Sequence, residues 1–159
     1  MLLKFERIIP THNQNDELFI LLKNRKYSIS HTSMPSKNEH SEFVSAHPYR
    51  VWYLIYRNKN LIGSVYLQTD NSIGIDLIEY HENDILSVIK YIKNNYKPHS
   101  SIKSVRRDEF FINVSSENSH LIKILKNLDR NEIQRSFLVW ILEIDIANLL
   151  ASFFLSVFL

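Results

Sequence analysis

A chain of 159 residues that is 45% hydrophobic is sized for one ordinary core, and its 19 basic against 17 acidic side chains leave a net charge of +2, too little to demand a nucleic acid as partner. It contains no cysteine, which excludes disulfides and thiolate metal sites. The opening Met1-Leu2-Leu3-Lys4-Phe5-Glu6 lacks the apolar run of a secretory signal, so the expected compartment is the cytoplasm.

Residues 2–9 alternate loosely and stop at Pro10, as an edge strand does. Asn15 or Asp16 is placed to cap a helix through about Lys23, with Leu18, Ile20, Leu21 and Leu22 on its apolar side. No period is sustained from Tyr27 to Met34. Ser36 and Glu39 then have capping-box spacing, which predicts a second helix through about Ala46 that buries Phe43 and Val44. His47-Pro48 ends it, because a residue before proline is pushed out of the helical region.

Arg50 to Arg57 is rich in aromatic and β-branched residues and reads as a strand, turned at Asn58-Lys59-Asn60. It leads into a hairpin, residues 61–69 and 72–78 about an Asp70-Asn71 turn, whose arms hold the chain's only glycines, Gly63 and Gly74. A glycine inside a strand marks a bulge or a close approach of backbone or ligand; relief of crowding against a helix is the other reading of both. Asn83 to Asn94 has helical spacing, His99 to Arg107 reads as a basic loop, and Glu109 to Val114 as a short buried strand. Ser115 is positioned to cap a helix over 117–127, and 131–140 reads as a last strand. The order strand, helix, helix, three strands, helix, strand, helix, strand predicts a mixed α/β domain over residues 1–142.

In this order, Ile62-Gly63-Ser64-Val65-Tyr66, Ile73-Gly74-Ile75, Phe110-Phe111-Ile112-Asn113-Val114 and the Asn118 that opens the late helix resemble the GCN5-related N-acetyltransferase (GNAT) family, over about residues 3–137. The resemblance implies a GNAT-like acyl-CoA N-acyltransferase fold, α/β or α+β with a mixed sheet: mostly antiparallel, twisted, with helices on both faces. It also implies transfer of an acetyl group from acetyl-CoA, as co-substrate, to a primary amine of a small molecule or amino sugar. On the family pattern Asp76 is the catalytic base, and backbone groups of Leu77, Ile78 and Glu79 align pantetheine. His81, Asn83, Asp84 and Ile85 receive the pyrophosphate at a helix N-terminus. Asn113 and Asn118 contact the cofactor arm, and His31, Tyr49 and Trp52 border the acceptor.

The chain departs from that pattern in two places. His81 stands where Gln or Arg opens the phosphate loop, and Glu82, Asp84 and Leu86 occupy the places of glycines. Carboxylates beside a diphosphate repel it by on the order of 1 kcal/mol or more each, although acids in a first turn also favour a helix N-terminus without any ligand. In the late helix, the position of the proton-donating tyrosine falls on Leu125, and Asp129-Arg130 replaces a Gly-Phe pair.

These departures support an alternative, a catalytically degenerate GNAT-fold module that binds or assembles through its hydrophobic C-terminal tail, residues 143–159. Residues 147–159 carry no charge, and Asn148, Ser152 and Ser156 recur every fourth position. A span of about 20 apolar residues would have to take in Glu143 and Asp145, so a membrane span is not expected; packing on the domain, a homodimer or membrane-surface contact are open to it. The histidine spacings match no zinc signature and no metal is expected. Lys97, His99, Lys103, Arg106 and Arg107 read either as a patch for phosphates or an acidic acceptor, or as a solvated loop.

Overall fold

Among the described residues, five strands lie side by side in sequence order, with four helices packed against them. The computed structural model describes residues 2–27, 33–134 and 136. The order is β1 (Leu3–Arg7), α1 (His12–Lys23), α2 (Lys37–Ser45), β2 (Val51–Arg57), β3 (Asn60–Leu67), β4 (Ser72–Leu77), α3 (Glu82–Asn95), β5 (Phe111–Asn113) and α4 (Ser119–Asn127). β1 to β4 pair antiparallel, and β4 pairs parallel with β5 after the α3 crossover.

Alternation along the strands divides the core in two. Tyr53 and Ile55, Val65 and Leu67, and Ile73, Ile75 and Leu77 point to one face, where they meet Ile85, Val88, Ile89 and Ile92 of α3 and Leu121 and Ile124 of α4. Trp52 and Leu54 point to the other and meet Leu18 and Leu21 of α1 and Val44 of α2. Helices therefore cover both faces of a mostly antiparallel sheet, as expected.

Several boundaries differ from the sequence reading. α1 starts earlier: Thr11 is its cap and accepts from the Gln14 amide. Gln14 itself is buried, accepts from the Ile9 amide and donates to Glu6 and the Arg7 carbonyl, and so ties the end of β1 to the first turn. The capping box of α2 is present in full, whereas Phe43 remains 39% exposed and only Val44 of the pair is buried. The β3–β4 connection is longer than Asp70-Asn71 alone, because Gln68 bonds across to Ser72 and Asn71 takes a left-handed φ of 75°. β5 keeps three residues and is partly exposed, not buried. α4 is capped by Asn118 and not by Ser115. Residues 131–134 have no regular structure, and the rest of the expected last strand and the tail, 143–159, lie outside the described residues.

Candidate functional site

The parallel pair is short. Ser72 faces Phe111, Ile73 faces Ile112 and Gly74 faces Asn113, and there the ladder stops. Beyond Gly74, β4 runs on to Leu77 paired, among the described residues, only with β3, so the β4 edge facing β5 opens into a cleft of about 220 Å³. Its lining comes from Asp76 to His81 along the end of β4 and the turn after it, from Asn24, Lys26 and Tyr27 after α1, and from His120 in the first turn of α4.

Both glycines lie where β3 and β4 pack tightly beside this opening. A Cβ on Gly63 would come within 2.2 Å of the Asp76 carbonyl oxygen, so β3 passes β4 closer than any other residue allows. At Gly74 the space above the backbone is filled by the cross-strand Tyr66 ring, which would lie 2.0 Å from a Cβ there. That ring stacks on Tyr49 at 4.2 Å.

Asp76 sits on the same face as Tyr66. Its carboxylate accepts a hydrogen bond from Arg25 Nε at 2.9 Å, and both side chains are largely buried. Burial pushes the Asp76 carboxyl above its ordinary range, and the Arg25 guanidinium pulls against that shift by its charge and its hydrogen bond. Tyr80 also holds its proton to higher pH, chiefly through burial and then through the charge of Asp76.

Of the residues singled out in the sequence, Asp76, Leu77, Ile78, Glu79 and His81 line the cleft. His81 caps α3 without a side-chain bond, and its Nε2 lies 3.3 Å from Glu79. Asn83 is exposed on the first turn of α3, and Asn113 is exposed where the β4–β5 ladder ends. Three others do not line the cleft. Ile85 is fully buried in the core, Asp84 is 7% exposed and paired with Arg57, and Asn118 is 2% exposed, its side-chain oxygen accepting from the Leu121 amide and its side chain also hydrogen-bonded to Tyr80 of the cleft.

Tyr49 and Trp52 belong to a packed aromatic cluster. Trp52 is buried and makes edge contacts with Tyr49, Phe43 and His47, and neither Tyr49 nor Trp52 lines the cleft. His31 lies outside the described residues. The basic loop works locally: Arg106 donates to the carbonyls of Ser100 and Thr69, and Arg107 lies over the Phe111 ring. Among the described residues no group of His, Asp or Glu could hold a metal ion, and no helix is long and apolar enough to cross a membrane.

Sequence reasoning assigned no role to Arg25, Lys26, Tyr27, Tyr80 or His120. Tyr80 was within reach, since it directly follows the strand that carries Asp76. Nothing in the spacing of Arg25 to Tyr27 points to Asp76, which lies 51 positions away from Arg25.

No family model matches the chain, and no curated protein matches its sequence. Solved structures do match. A domain from Methanocaldococcus jannaschii DSM 2661 has a TM-score of 0.62 at 21% identity, over 85% of this chain and 92% of that one. AAC(6')-Iy in complex with the bisubstrate analog CoA-S-monomethyl-acetylneamine has a TM-score of 0.55 at 9% identity, over 89% and 99%. A GNAT family protein from Streptococcus pneumoniae TIGR4 has a TM-score of 0.51 at 12% identity, again over 89% and 99%. Strand order, the single parallel pair that opens beyond Gly74, helices on both faces and these likenesses together give this chain the GNAT acetyltransferase fold.

Proposed function

We propose that the protein is an N-acetyltransferase that moves an acetyl group from acetyl-CoA to a primary amine of a small molecule, an amino sugar among the candidates. The observation that carries this reading is the opening of β4 from β5 beyond Gly74, with the Asp76 carboxylate at its lip and α3 beginning just past it. Backbone groups of β4 that have no strand partner on that edge fit the amides of a pantetheine arm, and the start of α3 fits an anion. The solved structure with a CoA-based bisubstrate analog has the same fold.

In this reading Asp76 takes a proton from the ammonium acceptor, and its raised pKa makes it a better base than an exposed aspartate. The amine then attacks the thioester carbonyl, a C–N bond forms, the C–S bond breaks, and the departing thiolate gains a proton. Leu125 has none to give and packs on the core. Tyr27 and Tyr80 are the phenols that line the cleft, and we assign this role to Tyr80, which lies in the turn after the strand that carries Asp76.

The second reading is a fold that binds or assembles without catalysis, and it is favoured by the glycine-free turn His81 to Leu86 together with Leu125. Calorimetry separates the two. Acetyl-CoA should bind the full chain, and silence at millimolar ligand would sink the enzyme reading. Given binding, Asp76→Asn should depress turnover of a panel of primary amines by about 10²-fold or more while leaving acetyl-CoA affinity in place.

A further inference from the structure

Asp84 and Arg57 form an ion pair between α3 and the last residue of β2, 27 positions apart in sequence. Asp84 is in the first turn of α3, where a carboxylate would face an incoming diphosphate, yet it is buried and absent from the cleft lining. Arg57 lies at the β2–β3 turn, beside β1 and β3, and the cleft opens on the other side of β4, toward β5. The pair therefore draws the Asp84 carboxylate toward the β2–β3 side of the sheet and away from the opening. Glu82, the other first-turn acid, is exposed to water.

Charge arithmetic shows why this matters. A helix N-terminus presents the equivalent of about half a positive charge, which one uncompensated carboxylate in the same turn would reverse. Paired with a guanidinium, Asp84 contributes almost nothing at the distance of a ligand, and the turn is left with the single exposed charge of Glu82 in place of two adjacent carboxylates. Two of the first amides, those of Asp84 and Ile85, are already spent on the His81 carbonyl, so the sign of the local field weighs the more.

We propose that Arg57 is a positioning residue for the cofactor: by holding and neutralising Asp84 it spares the glycine-free start of α3 a second negative charge and so favours the diphosphate of coenzyme A there. The inference rests on the acetyl-CoA reading above. A purely structural ion pair would behave differently, because either partner's loss would then do the same damage.

The test is titration of coenzyme A into the full chain and its Arg57→Gln, Arg57→Lys, Asp84→Asn and Arg57→Gln/Asp84→Asn variants at low salt, with thermal melts of each. Arg57→Gln should weaken binding about ten- to thirtyfold, the size of one unscreened charge at roughly 8 Å in an effective dielectric of about 20. Arg57→Lys should retain most of the affinity. Asp84→Asn should bind as well as the parent or better, and the double variant should recover to within about twofold. Asp84→Asn weakening binding as much as Arg57→Gln would overturn the proposal, as would Arg57→Gln with parental affinity. If Arg57→Gln does not fold, Asp84→Asn and Arg57→Lys decide it by the same criteria. A parent chain that fails to bind coenzyme A overturns the acetyl-CoA reading itself, whereas the variant outcomes bear on Arg57 alone.

Discussion

Two residues separated by a single strand pairing show how position decides what a glycine does. Gly63 is held against backbone, the Asp76 carbonyl, which cannot yield; Gly74 lies under the Tyr66 ring, which can rotate away. Gly63→Ala should therefore cost about 1–3 kcal/mol in urea unfolding, and Gly74→Ala measurably less, with Tyr66 displaced from Tyr49. Equal costs would mean that the ring is as fixed as the backbone. At the site, among the described residues, Arg25 is the partner that opposes the burial of Asp76. Arg25→Gln removes the effect that lowers the carboxyl pKa and leaves the one that raises it. Asp76 then stays protonated to higher pH, and the acid limb of the pH profile for acetyl transfer should move upward. A limb that does not move would remove Asp76 as the titrating base.

Elements whose ends are set locally were legible in the sequence. Ser36 and Glu39 predicted the α2 start because both halves of a capping box lie within one turn, and α3 was legible from its apolar spacing. α1 was misplaced at its start because Thr11 follows a proline and precedes a buried Gln14 whose partners are in β1; a polar residue serving the strand hides the helix signal. The β3–β4 turn was shortened for a related reason. Asn71 is fully buried with positive φ, and its side chain bonds the His99 amide and the carbonyls of His99 and Arg107, so the turn anchors a distant loop. Asn71→Ala should cost about 2–4 kcal/mol by leaving those groups unpaired, and amide exchange should rise first at residues 99–107. Uniform exchange in that loop would show it to be held by other contacts.

For the molecule as a whole, buried aromatic hydroxyls set the alkaline limit. Burial pushes the Tyr49 phenol up to about 12, and Tyr53, Tyr56, Tyr66 and Tyr80 are raised for the same leading reason. A folded pKa above the unfolded one gives stability that is complete below the unfolded value of 10.0 and is lost as pH rises through the folded value. His40 and His47 are lowered from 6.5 by burial, so their contribution is complete above that value and fades as pH falls through the folded pKa values. Urea midpoints should form a plateau between about pH 6.5 and 10 and fall on both sides, with tyrosinate absorbance appearing later in the native chain than in urea. Absorbance curves that coincide would show the phenols to be solvated.

By itself the sequence determined the order of elements from β1 to α4 and the mixed sheet with its glycine hairpin, features that follow from residues within a few positions of one another; the segment from Asp76 to His81 came from the family resemblance, and the structure places it along the cleft. Only the tertiary structure decided which side chains share the cleft with Asp76, because Lys26, Tyr27 and His120 reach it, and Arg25 reaches the Asp76 carboxylate, through the packing of α1 and α4 on opposite faces of the sheet. It also decided the meaning of Asp84. By the resemblance that carboxylate falls beside a phosphate; in the fold it is buried and paired with an arginine at the end of β2, a contact between residues too far apart in sequence for their spacing to record.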